Sequence, residues 1–385
     1  MIHDWKNGGF GIYVHWPFCA AKCPYCDFNS HVRKSVDQKR WLTAICLELK
    51  NNASRTSGRI VNTIFFGGGT PSLMEPETVS GIINEISLLW ELAPDIEISL
   101  EANPTSVEAQ KFSGFSNAGV NRLSMGIQSL RNNDLKALGR MHTVIEARNA
   151  FDIAKKYFHR VSFDLIYARQ GQLISDWKAE LLEASAMAVD HLSLYQLTIE
   201  AGTRFGDLYD RGKLKGLPDD SLAADMYDAT QELTFLNNMP AYEISNHALN
   251  GAESRHNLIY WRYGDYVGVG PGAHGRITSK GNRIATVTTQ NPEDWLRNVE
   301  LKGTATSDDE IIKPRDQAAE YLMMSLRLTE GLDMNRFENL CGTALDNQVI
   351  DKNIQNGLLK VNNNNLIATQ RGKIILNTVI KDLLI

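Results

Sequence analysis

The sequence predicts an α/β fold, built as an open, partial barrel of six strand–helix units with a small, mainly helical C-terminal module. Over the first two-thirds of the chain, short apolar runs alternate with longer amphipathic runs, and polar residues or glycines recur where the strands end. From residue 314 onward helices dominate. Strands that alternate with helices form a parallel sheet covered by helices. Because a closed barrel needs eight such units, we expect a partial (β/α)6 barrel that stays open.

The units follow one another in chain order. Strands are predicted over 10–14, 63–66, 96–100, 122–127, 161–166 and 191–197. Helices are predicted over 36–52, 76–90, 107–118, 144–156, 174–186 and 221–237. In parallel α/β sheets ligands bind at the carboxyl ends of the strands, so the polar residues found there predict a site.

The C-terminal part reads as a winged-helix-like module. Helices are predicted over 315–328, 334–340, 345–356 and 371–384, with a hairpin over 358–361 and 366–368. Such modules often bind DNA, but the basic residues here are few and dispersed, so we expect the module to pack as a lid over the barrel mouth. The predicted domains are therefore a barrel (1–235), a glycine-rich connecting region (236–310) and the C-terminal domain (311–385).

The composition excludes several classes of protein. Of 385 residues, 43% are hydrophobic and 22% are charged, as in a soluble globular protein. The net charge of −5 offers no basic field for nucleic acid. No apolar run is long enough to span a membrane, and the N-terminal residues lack the pattern of a signal peptide. With only five cysteines, the chain is expected in a reducing compartment, the cytoplasm.

Three of the cysteines form the most informative motif. Cys19, Cys23 and Cys26 have C-x3-C-x2-C spacing. A cubane iron–sulfur cluster takes four ligands, so three thiolates leave one iron open to a small molecule. A zinc site is the alternative, since His15 and His31 flank the loop, although zinc sites favour paired C-x2-C elements.

A second motif, Gly-Gly-Gly-Thr-Pro over 67–71, ends the second predicted strand. Glycines let the backbone approach a ligand closely, and exposed amides can hold a carboxylate. A plain tight turn is the alternative.

Together with downstream motifs, these runs resemble the oxygen-independent coproporphyrinogen oxidase family of radical S-adenosylmethionine (radical SAM) proteins. The similar segments are 13–19, 23–30, 66–73, 101–104, 122–129, 138–142, 164–167, 268–274 and the C-terminal domain. The resemblance implies a radical SAM barrel, a HemN-type C-terminal domain and a [4Fe–4S] cluster on the three cysteines. It also implies a set of residues that bind S-adenosylmethionine: Tyr13, Tyr25, Gly68, Gly69, Thr70, Glu101, Gln128, Arg140 and Asp164.

Two departures from the family pattern bear on function. Coproporphyrinogen dehydrogenases carry a further cysteine two residues after the third, where this chain has Phe28. This difference, the short N-terminal segment and the run His256-Asn-Leu-Ile-Tyr260-Trp261 resemble the haem-chaperone (HemW) branch, which implies haem binding by His256, Tyr260 and Trp261. The second departure is Ala168-Arg169-Gln170, where relatives read Gly-Leu-Pro, in a loop expected to face the cofactor pocket.

The leading hypothesis is therefore a haem chaperone that binds a [4Fe–4S] cluster, S-adenosylmethionine and haem and has no catalytic residue of its own. Its expected partners are haem-accepting proteins of the respiratory kind. Peripheral membrane contact and a homodimer follow from the resemblance. The alternative is an oxygen-independent coproporphyrinogen III dehydrogenase that uses radical chemistry. A cluster-stabilised scaffold without a ligand is a third hypothesis, which would leave the glycines and carboxylates without a role.

Overall fold

The computed structural model describes residues 3–384. Its strands are β1 (Phe10–Trp16), β2 (Phe18–Cys19), β3 (His31–Val32), β4 (Ile60–Gly68), β5 (Glu91–Ala102), β6 (Arg122–Gln128), β7 (Arg160–Tyr167), β8 (His191–Gln196), β9 (Asn246–Ala248), β10 (Asp265–Val269), β11 (His274–Ser279), β12 (Asn282–Thr288), β13 (Thr306–Ile311), β14 (Leu332–Asp333), β15 (Leu359–Asn362) and β16 (Asn365–Ala368).

The α-helices are α1 (Gln38–Ala53), α2 (Pro76–Leu89), α3 (Ser106–Ala109), α4 (Phe112–Asn117), α5 (Asn132–Ala137), α6 (Val144–Tyr157), α7 (Ile174–Met187), α8 (Arg204–Asp210), α9 (Asp220–Leu236), α10 (Arg255–Trp261), α11 (Pro292–Lys302), α12 (Pro314–Ser325), α13 (Met334–Cys341), α14 (Asn347–Gln355), α15 (Gln370–Ile374) and α16 (Leu376–Leu384). Short 3₁₀ helices cover Asp4–Asn7 and Pro71–Leu73.

One 11-stranded sheet organises the chain, in the order β13-β12-β11-β10-β1-β4-β5-β6-β7-β8-β9. The six strands β1, β4, β5, β6, β7 and β8 run parallel, and helices follow each of them. The sheet does not close, because β9 and β13 remain at its two edges. The predicted open barrel of six strand–helix units is confirmed.

Two predicted helices are interrupted. The helix expected over 107–118 is divided into α3 and α4, and the Lys111 amide at the break bonds to the Glu108 carbonyl in a tighter turn. The helix expected over 371–384 is divided into α15 and α16 at Ile375, where φ is −117°. The periodicity of apolar residues continues across both breaks, which is why the sequence predicts one helix in each place.

The region 236–310 contributes more strands than its sequence indicates. β10 lies parallel to β1 in the sheet, with Phe10 opposite Asp265 and Val14 opposite Val269. β11, β12 and β13 follow as an antiparallel extension. The glycines over 264–275 obscure these strands in the sequence, because glycine is depleted in strands.

The two faces of the barrel strands differ in chemistry. On β1, Ile12 and Val14 point outward into the apolar core beneath the helices, together with buried residues of α1 and α2. The inner face is polar, since the Arg122 guanidinium bonds to Ser99 and Ser162 on the neighbouring strands. The barrel interior is therefore a polar space rather than a packed apolar core.

The C-terminal module contains helices α12–α16 and the three-stranded antiparallel sheet β14-β16-β15. Its expected position as a lid over the barrel mouth is wrong. Arg336 binds Asp4 at 2.8 Å, and Glu330 binds Arg262 at 2.8 Å. Asp4 and Arg262 precede β1 and β10, so the module is attached near the amino ends of these strands, away from the mouth. Apolar residues of the module, with Tyr263, form a separate core that fixes this position.

Candidate functional site

A cavity opens at the carboxyl ends of the parallel strands, where α/β sheets bind ligands. The structure brings into its wall Cys19, Cys23, Cys26, Tyr25, Gly68, Gly69, Thr70, Glu101, Gln128, Arg140 and Asp164. Tyr13 is the exception among the residues predicted to hold the cluster and S-adenosylmethionine. It lies one layer deeper, with its hydroxyl 3.0 Å from His15 Nδ1 and its ring stacked on Phe65.

Several lining residues carried no role in the sequence analysis. Asn103, Ser124 and Lys22 also line the cavity, as does Phe28, which distinguishes the branch in the sequence. Asn103 accepts a hydrogen bond of 2.6 Å from Arg140 Nη2 and donates to Thr70 Oγ1 at 3.3 Å. Asn103 belongs to the family-like segment 101–104, but its role depends on contacts with Thr70 and Arg140, which are distant from it in the sequence.

Each of the three thiols lies near one polar side chain, and the three side chains are those of Thr70, Arg140 and Ser30. Thr70 Oγ1 donates to Cys19 Sγ at 3.4 Å, and Arg140 Nη1 donates to Cys23 Sγ at 3.3 Å. Cys26 Sγ lies 3.9 Å from Ser30 Oγ. Hydrogen bonds to sulfur stabilise thiolates and tune the potential of an iron–sulfur cluster. All three cysteines are free thiols. This donor set suits a cubane cluster.

In the described part of the chain, no group of three or more His, Cys, Asp or Glu side chains is arranged to hold a single metal ion. The histidines that flank the cysteine loop are committed elsewhere. His15 Nε2 donates to the Asn29 carbonyl at 3.0 Å, and His31 Nε2 lies 3.0 Å from Asn29 Oδ1. Both histidines therefore contact Asn29 through Nε2, His15 at the backbone carbonyl and His31 at the side chain. Neither Nε2 contacts a cysteine sulfur.

The glycine turn is attached to the cysteine segment by backbone hydrogen bonds. The Gly69 amide donates to the Trp16 carbonyl at 2.7 Å, and the Thr70 amide donates to the Phe18 carbonyl at 2.8 Å. Gly68 has φ +112°, and a Cβ there would lie 2.6 Å from the His15 ring. A side chain at this position is excluded both by backbone strain and by space. The turn therefore connects β4 to α2 and also holds the cysteine segment in place.

Two carboxylates in the cavity have raised pKa values. Burial, helped by the charge of Asp164, raises the pKa of Glu101 to about 8. Burial also raises the pKa of Asp164 to about 6. Asp164 Oδ1 has no hydrogen-bond partner among the described residues. Buried carboxylates without a cationic partner are costly, and they mark a functional site more often than a structural one.

Arg140 stands opposite these carboxylates. It donates to Cys23, Asn103 and the Gly126 carbonyl, while its Nε has no partner in the described residues. A guanidinium can bind a carboxylate through two parallel hydrogen bonds. The cavity therefore offers one cation and two buried carboxyl groups to a ligand that carries charges of both signs, as the methionine end and sulfonium of S-adenosylmethionine do.

The loop Ala168-Arg169-Gln170 does not face the cavity, contrary to expectation. Arg169 turns into a buried ion-pair network, 2.5 Å from Glu180 and 2.7 Å from Asp134. Gln170 donates to the Lys215 carbonyl at the surface. Ala168 has φ +56°, a conformation that favours glycine. The departure from Gly-Leu-Pro therefore changes a structural network beside the site and leaves the cavity wall unaltered.

The His256 segment forms α10, which packs against β4, β1 and β10. His256 is buried, and both of its ring nitrogens are engaged. Nδ1 lies 2.6 Å from Thr63 Oγ1, and Nε2 lies 2.7 Å from the Tyr260 hydroxyl. The ring stacks on Phe65. The structure therefore brings His256 and Tyr260 together, but not at the cavity with the cysteines, and it leaves His256 no free nitrogen for a metal.

Comparison with known proteins gives matches along nearly the whole chain. The model of the radical SAM superfamily matches residues 13–182, and that of the HemN C-terminal domain matches residues 312–375. A haem chaperone named HemW from Escherichia coli (strain K12) is 35% identical over 376 residues, which are 96% of this chain and 97% of that protein. A HemW from Bacillus subtilis (strain 168) is 32% identical, over 95% of this chain and 97% of that protein.

A mitochondrial relative extends the comparison to animals. The radical S-adenosyl methionine domain-containing protein 1 of Bos taurus is 35% identical over 97% of this chain and 87% of its own length. Among solved structures, coproporphyrinogen III oxidase (HemN) from Escherichia coli has a TM-score of 0.81, with 98% of this chain and 92% of that chain covered. At 20% identity this likeness shows the fold.

Proposed function

The chain belongs to the radical SAM superfamily and, within the coproporphyrinogen oxidase family, to its HemW branch; on that premise we propose that it is a haem chaperone. It would hold a [4Fe–4S] cluster, S-adenosylmethionine and haem, and deliver the haem to acceptor proteins. The observation that carries the proposal is the 35% identity, over nearly the full length of both chains, to a protein named as a haem chaperone.

The cofactor part of the proposal rests on the cavity. Cys19, Cys23 and Cys26 would hold the cluster, and the amino and carboxylate groups of S-adenosylmethionine could then chelate its open iron. Arg140 would orient the carboxylate of the ligand. Glu101 and Asp164 would bind its amine, its ribose hydroxyls or its sulfonium, because both are buried carboxyl groups in the cavity wall and Asp164 Oδ1 has no hydrogen-bond partner among the described residues.

The haem part rests on the branch to which the chain belongs and on Phe28. This phenylalanine lines the cavity mouth with 58% of its surface exposed, at the place where the dehydrogenases resembled by the sequence carry a further cysteine. His256, Tyr260 and Trp261 remain predicted haem residues. In the described conformation, haem ligation by His256 would require it to give up a hydrogen bond to Thr63 or Tyr260.

Acceptor proteins, contact with a membrane surface, a homodimer and a cytoplasmic location are further parts of the proposal. Among residues 3–384, no helix combines the length and apolar character that a membrane crossing requires. If the acceptors are respiratory proteins at a membrane, contact with that membrane would be peripheral.

The proposal is tested by titrating the reconstituted, anaerobic protein with haemin and following the Soret band. A stoichiometric complex with haem is expected, and its absence would contradict the chaperone function. The matched control is a protein with Cys19, Cys23 and Cys26 all changed to Ser, which separates haem binding from cluster binding.

The competing function is the oxygen-independent dehydrogenation of coproporphyrinogen III. The observation in its favour is the polar barrel interior, in which the buried Arg122 guanidinium bonds to Ser99 and Ser162 on the inner face. An anaerobic assay with coproporphyrinogen III, S-adenosylmethionine and a reductant separates the two. Formation of decarboxylated product by protein with an intact cluster would establish the enzyme; no product alongside a haem complex would support the chaperone.

A further inference from the structure

Asn103 lies between the hydrogen-bond donors of two thiols. It follows directly after β5 and lines the cavity that holds the cysteines. Its side chain contacts Arg140 on one side at 2.6 Å and Thr70 on the other at 3.3 Å. Arg140 in turn donates to Cys23 Sγ at 3.3 Å, and Thr70 donates to Cys19 Sγ at 3.4 Å. One carboxamide therefore stands behind the hydrogen bonds to two of the three sulfurs.

Arg140 determines which way the carboxamide of Asn103 is turned. A guanidinium can only donate hydrogen bonds, so the atom that faces Arg140 Nη2 has to be the carbonyl oxygen Oδ1. The amide nitrogen Nδ2 then faces Thr70 and donates to its hydroxyl. The opposite orientation would place two donors against each other. The direction of both hydrogen bonds is therefore fixed.

This orientation directs the hydroxyl proton of Thr70 toward sulfur. A threonine hydroxyl has one proton to donate and lone pairs with which to accept. Because Oγ1 accepts from Asn103 Nδ2, its own proton remains for Cys19 Sγ. An acceptor in the place of Nδ2 would compete with the sulfur for that proton. Asn103 therefore makes Thr70 a donor to Cys19.

The guanidinium of Arg140 is held in a similar way. Its Nη2 donates to Asn103 Oδ1 and also to the Gly126 carbonyl, at 2.8 Å. With Nη2 fixed by these two acceptors, Nη1 points at Cys23 Sγ. Loss of the Asn103 carbonyl would leave Nη2 with the Gly126 carbonyl alone, and the planar group could then turn away from the sulfur.

The backbone at Asn103 is anchored independently of its side chain. The Asn103 amide donates to Glu108 Oε2 at 2.9 Å, and the Ser72 hydroxyl donates to the same carboxylate oxygen. Glu108 is buried, and Ser72 lies two residues after Thr70. One carboxylate therefore connects the segment of Asn103 with the segment of Thr70. A substitution of the Asn103 side chain leaves this connection in place.

We propose that Asn103 is a positioning residue for the iron–sulfur cluster, which holds Thr70 and Arg140 as donors to the sulfurs of Cys19 and Cys23 and so raises the reduction potential of the cluster. This inference rests on the proposed cluster binding and gives a role to a residue outside the ligand set. Hydrogen bonds to cluster sulfurs help to set the potential. They favour the reduced state because it carries more negative charge on those sulfurs.

The third thiol provides an internal comparison. Cys26 Sγ lies 3.9 Å from the hydroxyl of Ser30, four residues further along the same loop. Neither group of this pair is bonded to the Asn103 side chain. An effect of Ser30 on the potential should therefore be independent of Asn103, whereas the effect of Thr70 should depend on it.

The test is a redox titration of the anaerobically reconstituted protein, in which the electron paramagnetic resonance signal of the reduced cluster reports the midpoint potential. Asn103→Leu removes both polar atoms at similar size. Thr70→Val removes the hydroxyl, and Thr70→Ser keeps it. Asn149→Leu is the matched control, because Asn149 is exposed on α6. Iron content and circular dichroism establish that each variant is loaded and folded.

We expect Asn103→Leu to make reduction about tenfold less favourable, which lowers the potential of a one-electron couple by about 59 mV. Thr70→Val should lower it by less, and Thr70→Ser and Asn149→Leu should match the wild type. In the Thr70→Val background, Asn103→Leu should have a smaller effect than in the wild type, because one of its two routes is already lost. In the Ser30→Ala background, its effect should be undiminished.

A general loss of polarity near the cluster would act equally in all backgrounds. Equal effects of Asn103→Leu in the wild type and in the Thr70→Val background would therefore overturn the proposed route through Thr70. An unchanged potential in the loaded Asn103→Leu variant would overturn the whole inference. If that variant assembles no cluster, Thr70→Val and Thr70→Ser carry the test, and equal potentials in these two would contradict it.

The failures of this inference and of the proposed function are distinguishable. If the wild type assembles no cluster, the cofactor part of the proposed function fails, and the role of Asn103 fails with it. If the wild type assembles a cluster and binds haemin while Asn103→Leu leaves the potential unchanged, the role of Asn103 alone is overturned.

Discussion

The carboxamide of Asn29 lies against Gly272, so closely that a Cβ on the glycine would stand 2.5 Å from Asn29 Nδ2. The same Nδ2 donates to the carbonyls of Pro271 and Gln290, each at 2.9 Å. Asn29 belongs to the cysteine loop, and Gly272 belongs to the turn between β10 and β11. The antiparallel extension of the sheet therefore holds the loop that carries the three thiols, which explains the structural role of the glycine-rich run 268–274.

We predict that Gly272→Ala displaces the cysteine loop. A side chain at φ +73° is strained, and here it also meets Asn29, so the added cost of overpacking should be about 1–3 kcal/mol. The measurements are the free energy of unfolding and the iron retained after reconstitution. Gly281→Ala is the control, since Gly281 has φ +82° and nothing within 4 Å. Equal iron retention in the two variants would contradict the role of the Asn29 contact.

Ala168→Gly should stabilise the protein. Ala168 has φ +56°, which costs an alanine more than a glycine, so the gain in unfolding free energy should be about 0.5–1 kcal/mol. Thermal or denaturant unfolding measures it. Ala188→Gly serves as the comparison because Ala188 has φ −59°, and there the added freedom of the unfolded chain should destabilise. A loss of stability in both variants would show that Ala168 is not strained.

The buried ion pair of Arg169 should matter far more than a surface pair. Arg169→Met leaves the 1% exposed Glu180 without its cationic partner, at an expected cost of about 3 kcal/mol. Arg148→Met breaks the surface pair with Glu183 and should cost less than about 1 kcal/mol. Denaturant unfolding of both variants tests this difference. Similar losses would mean that Glu180 is satisfied by Ser129 and the Leu130 amide alone.

Glu101 should make the ligand-free protein less stable as the pH rises. Its folded pKa of about 8 lies above the unfolded value of 4.5, so the folded state holds a proton that the unfolded state has lost in this range. The stability from this proton is fully present below pH 4.5 and is lost as the pH rises toward 8.

The variant Glu101→Gln should flatten that part of the profile. Unfolding free energies between pH 5 and pH 9, compared with those of the exposed control Glu77→Gln, measure the difference. Asp164 and Glu48, whose pKa values burial raises to about 6 and about 7, would contribute to the slope that remains, and buried histidines such as His256, whose pKa burial lowers to about 3, would oppose it. An unchanged slope in Glu101→Gln would show that Glu101 is ionised in the folded protein.

The predictions made from the sequence are most accurate where the signal is local. The six barrel strands and their helices were located because apolar periodicity is a property of neighbouring residues. The cavity wall was largely foreseen, since Gly68 ends β4 and Glu101 lies one residue before the end of β5, and such ends meet at one edge of the sheet. Asp164 lies within β7, three residues before its end. Tyr13 was the exception, one layer below the wall.

Features that depend on distant pairing were missed. β10 pairs with β1 across more than half of the chain, and glycines obscure its pattern. The C-terminal module was expected over the mouth, whereas ion pairs of Arg336 and Glu330 attach it near the amino ends of β1 and β10. No local pattern encodes which surface such a module covers.

The sequence by itself determined the fold class, the family and the chemical inventory of the site, because motif spacing and periodicity are carried by short segments. Only the tertiary structure decided which of those groups have free atoms. It engages both nitrogens of His256 and leaves Asp164 Oδ1 and Arg140 Nε without partners in the described chain. Whether a polar atom is satisfied depends on residues brought together from distant strands, and the order of residues along the chain does not specify those contacts.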